Sequence, residues 1–340
     1  MKILAWHLDG KLPNLALMRI AAHHRSIGDE VVLRKVSNAS ALNSAGYREI
    51  EPRFGDPVWD RVYASAIFDR TGPLIARLEQ LYPGCHVGGT GAAHMGRTLA
   101  DVGITDGPVD YTDYPESRQS IGFAMRGCRF KCDFCVVPRK EGRARANGTI
   151  AEIWRGEPWP RQVLLLDNDF FGNPTWRDRI TEIIDGKFKV SFVQGINARI
   201  LSDEAAAAIA SVDYRADDMR ERRIYTAWDA KGDERVLFRG LQRLVDHGVK
   251  PDHIMVYMLI GHALGETHED RDHRRRLLRE FGARPYPMPF RRSTELVGFQ
   301  RWVVQAYDKG IPWAAWKAAG YSPRRLGDRF SRRLPLGGAA

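Results

Sequence analysis

The sequence predicts an α/β protein, with an N-terminal doubly wound parallel sheet followed by a second α/β region of six strand–helix pairs. Two observations carry this. Short runs rich in β-branched and aromatic residues alternate with amphipathic helical segments along most of the chain, the pattern of parallel sheets. The 340 residues are 44% apolar, enough to bury either two domains or one large barrel with an extension.

Taken in order, KILAWH (2–7) reads as a short buried strand. After the loop DGKLPN, LALMRIAAHHRSIGD is an amphipathic helix ending at Gly28. EVVLRK and RVYASAIF (61–68) are further strands, the second followed by the helix GPLIARLEQLYPG. CHVGGTG closes the first region, with Cys85 and His86 as packing residues at its strand. Gly88, Gly89 and Gly91 suit a tight turn better than a phosphate cradle. The polar stretch VDYTDYPESRQ reads as a linker, giving a first domain of 1–115 and a second of 116–295. The second domain's strands are SIGFAMRG, QVLLLDNDFF, VSFVQGINARIL, RRIYTAWDAKGDE, IMVYMLIGHALGETHED and ARPYPMPFRR. A basic helical extension, 296–340, begins with FQRWVVQAYDKG, whose Phe299, Trp302, Val303, Ala306 and Tyr307 fall at helical spacing and predict a docking face. Beyond it Trp313, Trp316 and Tyr321 stand among Arg324, Arg325, Arg329, Arg332 and Arg333, which suits either bases and phosphates or a frayed basic tail.

The formal charge is +10; residues 271–340 hold 16 Lys and Arg against 5 Asp and Glu, leaving residues 1–270 near −1. A basic C-terminal face favours nucleic acid as partner, with a merely solvated surface as the alternative. MKILAWHLDGK is too short for a signal peptide and no segment has the length of a membrane span, so no membrane partner and a reducing cytoplasmic location are expected.

Three of the four cysteines, Cys128, Cys132 and Cys135, lie within eight residues in the spacing C-x3-C-x2-C. Clustered thiols in a chain without secretory features indicate metal rather than disulfides. Zinc would need a fourth ligand, and the nearest candidates, Cys85 and His86, lie about 43 residues upstream. Three thiolates suit a [4Fe-4S] cluster with one iron left open.

With Phe134 just before the last cysteine, the segment resembles the signature of radical S-adenosylmethionine (radical SAM) enzymes. The resemblance implies a partial (β/α)6 TIM-type barrel, open on one side, with its site at the C-terminal rim. It implies that Cys128, Cys132 and Cys135 hold the cluster and that S-adenosyl-L-methionine chelates the open iron and yields a 5′-deoxyadenosyl radical on reduction, by a donor such as flavodoxin. The residues implied to contact S-adenosyl-L-methionine are Phe134, Asp167, Asn168, Asp169, Gln194, Asn197, Arg199, Asp229, Ile260 and Gly261. Asp167, Asn168 and Asp169 have a structural alternative in capping the helix WRDRITEIID, and Arg199 in a surface salt bridge. No general acid or base is identified.

The first domain resembles the cobalamin-binding-like domain that precedes many of these barrels, but it lacks the D-x-H-x-x-G motif, so cobalamin is not expected. Too few cysteines remain for an auxiliary cluster. The compact arrangement resembles bacteriophage radical SAM proteins, which implies rearrangement of a modified base, foremost an aminoacylated thymine in phage DNA, as part of DNA hypermodification against host restriction. DNA is favoured over tRNA as the nucleic-acid partner. A tRNA base-modifying enzyme, a radical enzyme acting on a small molecule or peptide, and a non-enzymatic Fe–S or zinc module stay open.

Overall fold

The structure, a computed structural model, describes residues 1–37, 44–91, 96–104 and 107–326. Arg329, Arg332 and Arg333 lie outside them. Two compact units result, residues 1–122 with 136–142, and residues 123–135 with 143 onward.

The first unit is built from β1 (Lys2–His7), α1 (Leu15–Ser26), β2 (Glu30–Lys35), α2 (Ser44–Glu49), β3 (Arg61–Ser65), α3 (Gly72–Leu81), β4 (His86–Gly88) and β5 (Ser120–Gly122). Its sheet has the order β2-β1-β3-β4, all parallel, so the chain reverses its winding direction between β1 and β3. β1 is apolar on both faces because both are covered. Leu4 and Trp6 pack with Leu74, Ile75 and Leu78 of α3, while Ile3 and Ala5 pack with Leu17 and Ile20 of α1. Asn14 caps α1, its side chain accepting from the Leu17 amide at 3.2 Å. Cys85 is buried, and its thiol is pushed up to about 12 by that burial, which makes it an inert packing group. The expected linker is no free connector: Arg25 pairs with Asp110 and with Asp113 (2.9 Å), and Tyr114 is buried with its hydroxyl 3.2 Å from His7 Nδ1.

The second unit contains β6 (Met125–Arg126), β7 (Arg145–Ala146), α5 (Ile150–Ile153), β8 (Gln162–Leu165), α6 (Trp176–Asp185), β9 (Lys189–Phe192), α7 (Asp203–Ser211), β10 (Asp213–Tyr214), β11 (Ile224–Ala227), α8 (Glu234–Asp246), β12 (Ile254–Ile260), α9 (His268–Phe281), β13 (Arg284–Pro289), α10 (Thr294–Val304) and α11 (Trp313–Ala318); α4 (Val137–Lys140) falls in the first unit. β8, β9 and β10 pair in parallel, as do β11, β12 and β13. The fold is α/β, an N-terminal parallel sheet followed by parallel sheets of a partial barrel. SIGFAMRG, read as one strand, breaks at Phe123 and Ala124 into β5 and β6, because the second half pairs antiparallel with β7.

Physical reasons for the open barrel lie in β13. Its prolines, Pro285, Pro287 and Pro289, alternate, and proline cannot donate to a further strand, so β13 is suited to an edge. Helices cover one face of the β11–β13 sheet: Ile254, Val256, Met258 and Ile260 are fully buried in the same core as Leu237, Leu241 and Leu244 of α8. Within α8, Gly240 is required by contact. A Cβ there would sit 1.8 Å from the Ala198 carbonyl oxygen, so the helix lies directly against the turn Ala198–Ile200. The roughly 1 kcal/mol that glycine costs in a helix is offset by that approach, which fixes the turn bearing Arg199.

The C-terminal aromatics pack with the core. Trp316 is fully buried and donates its Nε1–H to Gly298 O at 3.0 Å, Trp302 donates to Ile311 O at 2.8 Å, and Trp313 stacks on His268. Tyr321 packs over Gly298. Trp316 is therefore a core residue, while Trp313 and Tyr321 pack against the same core and stay partly exposed.

Candidate functional site

The cysteine segment leaves β6 through Gly127, whose φ of +79° suits glycine. β8 holds it from both sides. Asp167, just past β8, accepts hydrogen bonds from the Ala124 and Met125 amides at 2.8 and 3.3 Å through one carboxylate oxygen. Asp169 accepts from the Arg129 amide (3.1 Å), Nε (2.7 Å) and Nη2 (2.8 Å). Both aspartates are buried, at 3% and 4% exposure, so their charges are compensated by these donors. Gly172 completes the arrangement, since a Cβ there would lie 2.3 Å from Asp169 Oδ2 and 2.7 Å from Arg129 Nε. Asn168, between them, is partly exposed.

Cys128, Cys132 and Cys135 are all partly buried and unbridged. The Cys135 amide donates to the Cys132 carbonyl at 3.0 Å, and the Phe130 amide to Cys128 Sγ at 3.4 Å. Burial pushes the Cys128 and Cys132 thiols up; for Cys132 the Arg199 guanidinium beside it works in the opposite direction. The three thiols influence one another electrostatically, yet among the described residues no His, Cys, Asp or Glu group stands in metal-holding geometry.

Across from the thiols stands the turn after β9. Asn197 caps it, its Oδ1 accepting from the Arg199 amide at 3.2 Å and Nε at 3.1 Å. Arg199 Nη1 also donates to Asp233 at 2.7 Å. Asp229, two residues beyond β11, has its carboxyl raised by burial, with Arg199 and an amide bond from Leu259 opposing. Cys132, Arg199, Asp229 and Asp233 thus form one electrostatic group. Gln194 is exposed after β9.

The third part is the β12 end. The Ile260 side chain is fully buried on the helix-covered face, so only its backbone faces the rim. Gly261 (φ +74°) donates its amide to Glu266, and Glu266 pairs with Arg274. Arg274, 3% exposed, donates to Trp228 O at 2.9 Å and Leu259 O at 3.1 Å, tying the ends of β11 and β12 to the turn that follows. Phe134 meets His262 edge-on at 5.3 Å, and His262 meets Phe290 at 4.7 Å. Phe290, Arg291 and Arg292 are exposed after β13.

Sequence reading singled out neither Arg129, Arg274 nor His262, whereas Glu266 lies in the Gly-Glu-Thr turn that resembles the family's adenine-contacting segment. Arg129 carried a local signal, lying next to Cys128. Arg274 carried none, because the first arginine in RRRLLREF looks like part of a solvated helix face until the fold turns it inward.

A cavity of about 210 Å³ lies beside the Arg129–Asp169 pair, lined also by Phe171, Trp176, Asn197 and Glu204. A larger one, about 720 Å³, opens at the N-terminal ends of β12 and β13, where Met255 and Arg284 lie. Chemistry in barrels of this kind gathers at the C-terminal ends, so the larger cavity is not the candidate site.

No protein-family model matches the sequence, and no curated protein does. The fold is shared with solved structures, among them these two. One is the radical S-adenosylmethionine methyltransferase TsrM from Kitasatospora setae, with cobalamin and a [4Fe-4S] cluster bound, at a TM-score of 0.55 and 13% identity over 85% of this chain and 74% of that one. The other is OxsB, a cobalamin-dependent S-adenosylmethionine radical enzyme in its apo, selenomethionine-labelled form, at a TM-score of 0.50 and 11% identity over 80% of this chain and 51% of that one. The cysteine spacing fits the C-x3-C-x2-C motif.

Proposed function

We propose that the second unit is a radical SAM enzyme that acts on a base in nucleic acid. The observation carrying the first half is the C-x3-C-x2-C segment hung from the C-terminal rim of a parallel α/β fold similar to two radical SAM proteins. By donor chemistry, though the thiols are not gathered into ligating geometry, the set fits a [4Fe-4S] cluster: three thiols on one loop, with Arg199 beside one of them to offset negative charge. When bound, that cluster and S-adenosyl-L-methionine supply one-electron cleavage of the sulfonium and a radical that abstracts hydrogen.

The chain's own residues do the positioning. Asp167 and Asp169 hold the loop backbone and Arg129, so they act as positioning residues. Arg199 and Asp229 present a guanidinium and a carboxyl to the rim, and Asn168 and Gln194 offer amides, the donors and acceptors that a zwitterionic methionyl group and ribose hydroxyls require. Phe134, His262 and Phe290 form an aromatic edge beside the cysteine loop.

We assign no cobalamin to the first unit. Among the described residues beyond β1 and β3 the chain packs against itself: Asp9 takes the Ile67 and Phe68 amides and the Thr71 hydroxyl, and Gly89 and Gly91 lie against the Ala66 and Phe68 backbone. His7 Nε2 makes no hydrogen bond, but the residue is 4% exposed beneath Gly10, so it presents no ligand to open space. No step is assigned to a corrin.

Support for a nucleic-acid substrate comes from Arg291 and Arg292, exposed beside Phe290 on the rim, within a C-terminal stretch holding 16 basic against 5 acidic residues. The reaction we favour is rearrangement of a modified pyrimidine in DNA, an aminoacylated thymine first. Anaerobic reconstitution with iron and sulfide, then reduction with S-adenosyl-L-methionine, is expected to give 5′-deoxyadenosine, and Cys132→Ala to give none; absence from the intact protein would overturn the enzyme reading. Single-stranded DNA is expected to bind with steep salt dependence, roughly a thousandfold loss from 50 to 200 mM for about six phosphate contacts. A flat response would point to a small-molecule substrate, and preference for folded tRNA to the RNA alternative.

A further inference from the structure

The β11–β13 sheet has a second face, turned away from the helices, and it is aromatic. Because Ile254, Val256, Met258 and Ile260 point into the helix-covered core, the alternate residues Met255, Tyr257 and Leu259 point to the opposite, inner face. Tyr225 of β11 and Tyr286 of β13 share that face with Tyr257. Tyr225 and Tyr257 lie parallel, 5.7 Å between centroids and 5° between planes; Tyr257 and Tyr286 meet at 5.4 Å and 88°. Tyr257 and Tyr286 are only partly buried. The register row Ala227–Tyr257–Tyr286 carries no charged side chain. Two residues further toward the C-terminal ends, Ala227 leads to Asp229 and Tyr257 to Leu259, and Asp229 belongs to the electrostatic group around Cys132. The tyrosines therefore form the layer below the cysteine rim.

We propose that Tyr225, Tyr257 and Tyr286 receive the flat, unsaturated ring of the substrate; this rests on the radical reading of the rim above them. Perpendicular rings such as Tyr257 and Tyr286 leave a corner in which a third ring lies parallel to one and meets the edge of the other, the two favoured aromatic arrangements. A neutral heteroaromatic ring suits the Tyr257–Tyr286 row, which supplies π faces and hydroxyls; Tyr225 lies one row lower, level with Met255 and Arg284, whose guanidinium is held by the Asp252 carbonyl at 2.8 Å. The Tyr225 and Tyr257 hydroxyls stay protonated as donors: burial raises Tyr225 to about 12 and Tyr257 upward as well. Bases stack on such side chains regardless of sequence. Whether the ring arrives as a free nucleoside or within a strand is a matter of source, and the test separates the two.

The probe is 2-aminopurine, whose emission is quenched by stacking, offered as the free riboside and within a single-stranded oligonucleotide. Saturable quenching by the reconstituted protein is expected, weakened on the order of tenfold in Tyr257→Leu and Tyr286→Leu and retained in Tyr257→Phe. Thermal melts of the variants accompany the titrations, and if Tyr257→Leu does not fold, the more accessible Tyr286→Leu decides. Riboside binding equal to oligonucleotide binding assigns a nucleoside; quenching by the oligonucleotide alone assigns a base in a strand. Absence of saturable quenching with either probe, or unchanged binding in folded Leu variants, overturns the proposal. 5′-Deoxyadenosine formation is measured separately: its loss from the intact protein sinks the radical reading, whereas its presence without ring binding sinks only the tyrosine platform.

Discussion

Asp167 and Asp169 show how one tripeptide pattern divides its work once folded. The acidic triplet after β8 is expected to meet S-adenosyl-L-methionine, and two of its three members also fasten the cysteine loop. Asp169→Asn keeps the shape and removes the charge facing Arg129, so a stability loss of about 1–3 kcal/mol is expected, with less iron bound per protein after reconstitution. Normal iron content in a folded Asp169→Asn protein would refute the fastening role. Gly172→Ala is expected to act in the same direction, because its Cβ would displace the Asp169–Arg129 pair. The thiols themselves were legible from spacing alone. Arg199 was legible as a rim residue, but its links to Cys132, Asp229 and Asp233 depend on residues up to 67 positions apart in the chain and no local pattern announces them.

Strands and helices were easier to read than their boundaries. α1 emerges where periodicity places it. The β5–β6 break did not show, since antiparallel pairing with β7 is decided by a partner about 20 residues away. β2 is anchored by an ion pair that gives a pH prediction. Arg34 hydrogen-bonds draw Asp56 down from 3.8 to about 2, so this carboxylate binds its proton less readily in the folded chain. Its stabilisation is complete above pH 3.8 and is lost as the pH falls through about 2. Urea melts of the wild type and Asp56→Asn are expected to differ at pH 6 and to converge near pH 2; a gap that persists undiminished at pH 2 would show that this pair is not its origin.

For the chain as a whole, the basic C-terminal stretch was visible in composition, but its uses differ. Arg271 pairs with Glu295, Arg274 with Glu266, and Arg275 and Arg279 with the fully buried Asp308, so much of the charge stabilises the α9–α10 region. Arg291 and Arg292 stay on the rim. The aromatic cluster around α10 and α11 is structural to the same degree. Trp316→Ala is expected to cost about 3–5 kcal/mol in chemical denaturation, and a change under about 1 kcal/mol would show that α11 is not docked as described.

Composition and periodicity by themselves determined the α/β class, the alternation of strands with helices and the thiol spacing, because these are local properties of neighbouring residues. Only the tertiary structure decided which polar residues hold the loop, which arginines turn inward, and that three tyrosines from separate strands share one face. Those outcomes depend on register and crossover, which bring together side chains that the sequence keeps tens of residues apart.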